Sequence, residues 1–150
     1  MNTIVTLIDF SGLTPKLIEQ SERYAKALAS RVILLHILPI EPVMMGMGDA
    51  FPAQQSRRDF LEADYQSLSG LGDMLRKVGV NVLIEQLPDA DMRMALDECE
   101  RWNADLIIVG AHHHSIVYNW FVGSFTCEVL KGAHCPVLVV PPIPVRGMGQ

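Results

Sequence analysis

Residues 105–110 read Asp-Leu-Ile-Ile-Val-Gly, an apolar run of strand length that does not alternate with polar residues. A run of this kind is typical of a strand covered on both faces, as in a parallel sheet with helices above and below it. Val137-Leu138-Val139-Val140 has the same continuous character. The two runs together favour a parallel central sheet.

Three further runs rich in Ile, Val and Leu precede these two, with helical patterns between them. The five predicted strands are residues 3–9, 31–38, 80–87, 105–110 and 136–140. Alternation of strand and helix is typical of right-handed crossovers, which place helices on both faces of a sheet. We therefore predict an α/β fold with a doubly wound, five-stranded parallel sheet in a single domain.

Caps mark the predicted helices between these strands. Thr14 is the predicted N-cap of the first helix, and Pro15 is its predicted first helical residue. Asp89 or Asp91 is the predicted cap of the third helix. The fourth helix is predicted to start at Gly123-Ser124 and to run to about residue 132.

The second helical pattern repeats at alternating steps of three and four residues. Its stripe consists of Leu61, Asp64, Leu68, Leu71, Leu75 and Val78. Gly70 and Gly72 are potential breaks in this helix, and Gly79 is its predicted C-terminal stop. Residues 39–55 precede it without periodicity, and we predict a long loop there, of the kind that is usually functional or mobile.

The composition fits one domain with its own hydrophobic core. The sequence has 150 residues, of which 49% are hydrophobic and 19% charged, and a domain of this size needs no disulfide or metal to stay folded. Lys and Arg number 12 against 17 acidic residues, a formal charge of −5, which argues against nucleic-acid binding. We predict a domain over residues 1–142 and a flexible, proline-containing tail over residues 143–150.

Cysteine usage and the N-terminal sequence predict the compartment. Cys99, Cys127 and Cys135 show neither paired nor zinc-ribbon spacing, which is typical of reduced intracellular thiols. The sequence opens without a basic leader, and no apolar run approaches the roughly 20 residues that span a bilayer. We therefore expect a cytoplasmic protein without a membrane partner.

Candidate ligand-binding residues stand where the predicted strands end. Ligands of open parallel sheets bind beyond the carboxyl ends of the strands, and Asp9, Ile37 and Gly110 lie at three such ends. Gly123-Ser124 then opens a helix, whose free backbone N–H groups and macrodipole favour an anion such as phosphate. The alternative interpretation is that Ser124 is an ordinary N-cap and Gly123 a turn residue.

Metal binding and catalysis have weaker support in the sequence. His112-His113-His114 contains potential metal ligands, but adjacent residues rarely converge on one ion, so we interpret them as loop residues or phosphate donors and predict no metal. His36 is predicted to be structural. No Walker A, Gly-x-Ser-x-Gly or His-Glu-x-x-His pattern occurs, so no catalytic residue is predicted. Asp9 is interpreted as a ligand-orienting or loop-capping carboxylate.

The sequence resembles the universal stress protein family over nearly its whole length. The similar segments are residues 4–11, 32–37, 104–110 and 131–140, the last resembling the family's closing Ala-Pro-Cys-Pro-Val-Leu-Val-Val. The family's nucleotide-binding branch carries the signature Gly, two residues, Gly, nine residues, then Gly-Ser or Gly-Thr. Gly110 and Gly123-Ser124 match its outer positions, whereas His113 stands at the middle glycine.

The resemblance implies an adenine nucleotide alpha hydrolase-like fold and an adenine nucleotide, ATP or AMP, as ligand. It places Asp9 and Ile37 beside the adenine and ribose, with Val109 and Gly110 along the same cleft. The residues implied near the phosphates are His112, His113, Gly123, Ser124, Phe125 and Thr126. A histidine at position 113 either donates a hydrogen bond to phosphate or fills the space that a glycine leaves.

The resemblance further implies a stress-response module that signals through a homodimer. In that homodimer the final strand, residues 136–140, pairs with its counterpart, which covers an apolar strand edge. Two alternatives remain: a nucleotide-free interaction protein in which His113 closes the cleft, and an enzyme with slow ATP hydrolysis or nucleotidyl transfer. The sequence does not identify a downstream protein partner.

Overall fold

The computed structural model describes residues 2–38, 50–111 and 124–142, with the backbone alone for residues 50–55. Its strands are β1 (Thr3–Ile8), β2 (Arg31–Leu38), β3 (Val82–Pro88), β4 (Leu106–Gly110) and β5 (Val137–Val140). Its helices are α1 (Thr14–Leu28), α2 (Ala50–Lys77), α3 (Met92–Arg101) and α4 (Ser124–Gly132). Strand and helix therefore alternate along the described chain, as predicted.

The five strands form one parallel sheet in the order β3-β2-β1-β4-β5. The chain moves outward from β1 to β2 and β3, and then crosses to the other side of β1 to form β4 and β5. The order reverses between β1 and β4, which makes their carboxyl ends the topological switch point of the sheet. The predicted doubly wound α/β fold is confirmed.

Two hydrophobic clusters cover the two faces of the sheet. Leu17 of α1 and Leu68 of α2 pack on one face, which we call the α1/α2 face. Met92 of α3 and Val129 of α4 pack on the other, the α3/α4 face. All six residues of β1 are buried. Burial on both faces explains why the strand sequences read as continuous apolar runs.

The N-cap prediction for α1 is wrong. Leu13 occupies the cap position without a side-chain capping bond, while the Ser11 hydroxyl accepts from the Leu13 N–H at 3.2 Å. The Ser11 carbonyl accepts from the Thr14 N–H at 3.0 Å. Ser11, three residues before Thr14, therefore accepts the hydrogen bonds from the first N–H groups at the start of α1. Thr14 itself is buried in the first turn of the helix.

The predicted breaks in α2 are also wrong, because the helix continues through Gly70 and Gly72. A Cβ at Gly72 would lie 3.0 Å from Cγ2 of Ile84, so this glycine lets α2 pack closely on β3. Gly79 has a φ of +86° and follows the end of the helix, which confirms the predicted stop.

The structure also shows where α3 and α2 begin. Asp91 caps α3, since its Oδ1 accepts from the Met94 N–H at 2.9 Å. Because α2 begins at Ala50, the predicted loop over residues 39–55 was too long at its C-terminal end. The rest of that loop and the predicted tail, residues 143–150, lie outside the described residues.

None of the described helices is both long and apolar enough to cross a membrane.

Candidate functional site

The candidate site lies at the carboxyl ends of β1, β2 and β4. β1 pairs with β2 on one side and with β4 on the other, so the residues at these three ends are neighbours. Ile37 and Val109 both pack within the cluster of the α3/α4 face. Asp9 follows β1 directly and is exposed. The structure therefore brings the two residues predicted for the adenine and ribose, Asp9 and Ile37, to the same end of the sheet as Val109, which was predicted to line the cleft.

Asp9 shapes the turn that joins β1 to α1. Its Oδ1 accepts from the Ser11 N–H at 3.0 Å, the geometry of an Asx turn. Phe10, between them, has a φ of +56°, which is uncommon for an aromatic residue. This geometry agrees with the loop-capping interpretation of Asp9, and it fixes the carboxylate at the switch point.

Gly110 is a packing position at the end of β4. A Cβ there would lie 3.0 Å from Cδ1 of Leu13 and 3.7 Å from Cδ1 of Leu17. The glycine therefore allows the start of α1 to rest on β4, which is a reason for its presence that is independent of any ligand.

Thr126 fastens α4 to the same strand end. Its side chain is fully buried, and its hydroxyl donates to the Gly110 carbonyl at 3.1 Å. The resemblance implied a phosphate donor at this position, whereas the structure shows the hydroxyl bound within the protein. The bond places the first turn of α4 beside the switch point.

The first residues of α4 supply donors at this place. Ser124 begins the helix and is exposed, and Phe125 is half-buried against the α3/α4 face. The first four N–H groups of an α-helix have no intrahelical partner and carry the positive end of the macrodipole. The start of α4 is thus suited to an anion held next to the end of β4.

A pair formed by a buried histidine and a half-buried carboxylate on the α1/α2 face was not predicted from the sequence. His36 is 6% exposed; its Nδ1 lies 2.7 Å from the Ile8 carbonyl oxygen, and its Nε2 lies 3.3 Å from Oδ2 of Asp64. The ring centroids of His36 and Phe10 are 4.6 Å apart. The signal in the sequence was Asp64, a carboxylate within an otherwise apolar helical stripe.

Two thiols with raised pKa values lie at the opposite end of the strands. Burial raises the pKa of Cys99 to about 12 and also raises the pKa of Cys135. Cys99 is near the C-terminal end of α3, and Cys135 shortly precedes β5. Because both lie by the amino ends of the strands, neither thiol contributes to the candidate site.

Three predicted site residues, His112, His113 and Gly123, lie outside the described residues. Within residues 2–38, 50–111 and 124–142, no group of three or more His, Cys, Asp or Glu side chains is arranged to hold a metal ion. The described part of the site therefore consists of one carboxylate, apolar walls and the start of a helix.

Comparison with known sequences points to one family. The model of the universal stress protein family matches residues 1–141. A universal stress protein of Methanocaldococcus jannaschii is 26% identical over 141 residues, covering 91% of this chain and 80% of the relative. The universal stress protein A homolog 1 of Coxiella burnetii is 25% identical over 139 residues, covering 91% of this chain and 94% of the relative.

Solved structures share the fold. Universal stress protein UspA from Lactobacillus plantarum has a TM-score of 0.74 at 18% identity, covering 93% of this chain and 97% of that one. The universal stress protein from Archaeoglobus fulgidus in complex with dAMP has a TM-score of 0.66 at 20% identity, covering 93% and 97%. A universal stress protein in complex with cAMP has a TM-score of 0.66 at 19% identity, covering 93% and 96%.

Proposed function

The chain belongs to the universal stress protein family, and we propose that it binds an adenine nucleotide, ATP or AMP, at the carboxyl ends of β1, β2 and β4. The observation that carries the proposal is the hydrogen bond from Thr126 to Gly110, which holds the start of α4 against the switch point. Two structures of the same fold are complexes with dAMP and cAMP, which supports an adenine nucleotide as the ligand class.

The proposed roles follow the chemistry of each side chain. The Asp9 carboxylate accepts hydrogen bonds from ribose hydroxyls, because an ionised carboxylate is an acceptor only. Ile37, which is only half-buried, supplies apolar contact to the adenine ring, and Val109, whose side chain is buried in the core, borders the cleft through its backbone. The Gly110 backbone borders the same cleft, while its carbonyl stays bound to Thr126. Recognition of the nucleoside thus relies on one acceptor and an apolar wall, as in most small-molecule sites.

The phosphates are proposed to lie at the start of α4. Backbone N–H groups of Gly123, Ser124 and Phe125 and the Ser124 hydroxyl donate to them, and the helix dipole favours their negative charge. His112 and His113 are proposed to add donors. Thr126 acts as a positioning residue, since its hydroxyl is already bound to β4.

Calorimetric titration of Ser124→Ala against the wild type tests this assignment. Removing the hydroxyl takes away one hydrogen bond to a charged phosphate, so we expect ATP affinity to fall about tenfold, equivalent to about 1.4 kcal/mol. Titrations with AMP, cAMP and GTP show how the affinity depends on the base and on the number of phosphates. Measuring phosphate release in the same samples shows whether bound ATP is retained intact, which we expect, or hydrolysed.

The matched control is Ser67→Ala, a serine-to-alanine change at an exposed position of α2. It should bind ATP as the wild type does. Equal affinity in Ser124→Ala and Ser67→Ala would show that the start of α4 does not hold the phosphates.

We also propose a homodimer formed through β5. β5 pairs with β4 and is the last strand in the order of the sheet. Val137, Leu138 and Val139 are only half-buried. An apolar edge strand is a template for pairing with another chain, and a second copy would cover it symmetrically. Signalling in a stress response and a cytoplasmic location are proposed from family membership.

A further inference from the structure

We propose that His36 is a positioning residue for the nucleotide site, which holds the turn carrying Asp9 and is itself oriented by Asp64 of α2. The inference rests on the proposed function, because the role of Asp9 toward the ribose gives that turn its importance. The proposal means that α2, which packs on the α1/α2 face, influences the affinity of a nucleotide proposed to contact Ile37 on the other face.

The first contact is made to the end of β1. His36 lies opposite Ile8 in the register of β1 and β2, and its Nδ1 lies 2.7 Å from the Ile8 carbonyl oxygen. A carbonyl only accepts hydrogen bonds, so Nδ1 carries the proton and donates. Ile8 is the last residue of β1. The imidazole therefore holds the peptide group that immediately precedes Asp9.

The second contact lies on the far side of Asp9. The rings of His36 and Phe10 are tilted by 59° with their centroids 4.6 Å apart, a favourable distance for ring packing. Phe10 is the residue with the positive φ, a conformation that persists when its surroundings hold it in place. Asp9 is thus flanked by two groups that both contact His36.

The third contact orients the imidazole itself. Nε2 lies 3.3 Å from Oδ2 of Asp64; because Nδ1 already carries a proton, a hydrogen bond here needs a second proton between the buried ring and the half-buried carboxyl group. A carboxylate on one ring nitrogen fixes the orientation of the other. One turn earlier on α2, the Leu61 carbonyl accepts from Nε2 of Gln86 on β3 at 3.1 Å. These two bonds join α2 to β2 and β3 near the strand ends, in addition to the apolar packing of Leu68 and Leu75.

Packing alone would not select these side chains. Val32 and Leu34 precede His36 on the same face of β2 and belong to its apolar cluster. A histidine and a carboxylate cost free energy when buried unless they are hydrogen-bonded. Because His36 and Asp64 come from separate elements and meet each other, their polar groups specify one geometry at the strand ends.

The test compares His36→Asn with His36→Gln, using ATP titration and NMR exchange of the Ser11 amide, which donates to Asp9. The Asn amide nitrogen takes the place of Nδ1, so the bond to Ile8 survives; the Gln amide reaches toward the place of Nε2 and that bond is lost. We expect His36→Asn to keep ATP affinity and Ser11 protection within about threefold of the wild type. We expect His36→Gln to lose about tenfold in both, the equivalent of one net hydrogen bond.

Asp64→Asn and Asp73→Asn complete the set. Asn at position 64 keeps an acceptor but lowers its charge, so a smaller loss of about threefold is expected. Asp73 is exposed on α2 and pairs with Arg76, and its substitution should change neither readout. Equal Ser11 protection in His36→Asn and His36→Gln would overturn the positioning role.

The two readouts separate this inference from the proposed function. If the wild type binds no adenine nucleotide, the proposed function fails, while the exchange of Ser11 still decides whether His36 holds the turn. If the wild type binds ATP and His36→Gln binds it equally well, the proposed function stands and the positioning role is wrong. Both variants retain a polar amide at position 36, so the comparison does not depend on a large change in core packing.

Discussion

Two buried polar side chains, His36 and Thr126, hold strand ends near the candidate site. His36 and Thr126 each bind a backbone carbonyl at a strand end, at 2.7 and 3.1 Å. Neither interaction could be predicted from the sequence, because the partners belong to different elements and no local spacing relates them. Asp64 was visible as a carboxylate in an apolar stripe, but its partner became evident only with the fold.

The carboxyl group of Glu85 on β3 destabilises the folded protein at neutral pH, because its pKa is raised in the folded state. Burial raises the pKa of Glu85, the hydrogen bond from Nε1 of Trp102 lowers it, and the negative charge of Glu98 raises it further, with a net upward shift. The Trp102 bond measures 2.6 Å. A carboxyl with a raised folded-state pKa stabilises the fold fully below its unfolded pKa, and this contribution is lost as pH rises through the folded pKa.

Glu85→Gln should therefore raise the melting temperature at pH 7.5, by about 1 to 2 °C because water screens a half-exposed group. The gain should shrink below about pH 4, where Glu85 is protonated in both states. Thermal unfolding at a series of pH values measures this, with Glu19→Gln at an exposed position of α1 as control. A gain that persists unchanged at pH 4 would contradict the explanation.

At the scale of elements, strands were predicted well and helix details less so. Runs rich in Ile, Val and Leu located all five strands within about two residues of their observed ends. The signal was strongest for β1, β2 and β4, which are buried on both faces, whereas β3 contains Glu85 and Gln86 and is mostly half-buried. The predicted break at Gly72 failed because Gly72 packs against Ile84, and the one at Gly70 failed because a single glycine at an exposed helical position costs only about 1 kcal/mol. Thr14 failed as a cap because Ser11 had already taken that role.

The attachment of α4 to β4 gives a prediction at this scale. Thr126→Val keeps the shape of the side chain but removes the hydroxyl, leaving the Gly110 carbonyl without that donor. We expect a loss of about 1 to 2 kcal/mol in the free energy of unfolding. ATP affinity should fall about fivefold, since the start of α4 is no longer held to the strand.

Thr126→Ser is the matched control, because it retains the hydroxyl and loses only a methyl group. Urea denaturation and calorimetric titration of both variants provide the readouts. Wild-type affinity in a destabilised Thr126→Val would show that the bond serves stability alone.

For the whole molecule, the strand order explains why the carboxyl ends of the central strands are suited to a ligand, whereas the outer strand β5 is suited to pairing with a second chain. The switch point between β1 and β4 gathers Asp9, Val109 and the start of α4, whereas β5 ends the sheet. Sequence reasoning placed the fold and this edge, because strand ends follow from strand positions. Three predicted site residues, His112, His113 and Gly123, lie outside the described residues, so their roles stay predictions.

The proposed homodimer gives a prediction of mass. Light scattering after size-exclusion chromatography should give twice the 16.7 kDa of one chain at micromolar concentration, because β5 offers an apolar edge to a second copy. A charged residue in place of Leu138 should shift the mass toward one chain. A monomer at every concentration would exclude pairing through β5.

Calorimetric titration of the wild-type protein with ATP and AMP tests the central claim most directly. We predict saturable binding of one adenine nucleotide per chain, and a melting temperature that rises with nucleotide concentration. The account would be contradicted by a protein that binds neither nucleotide at millimolar concentration and melts at the same temperature with and without them.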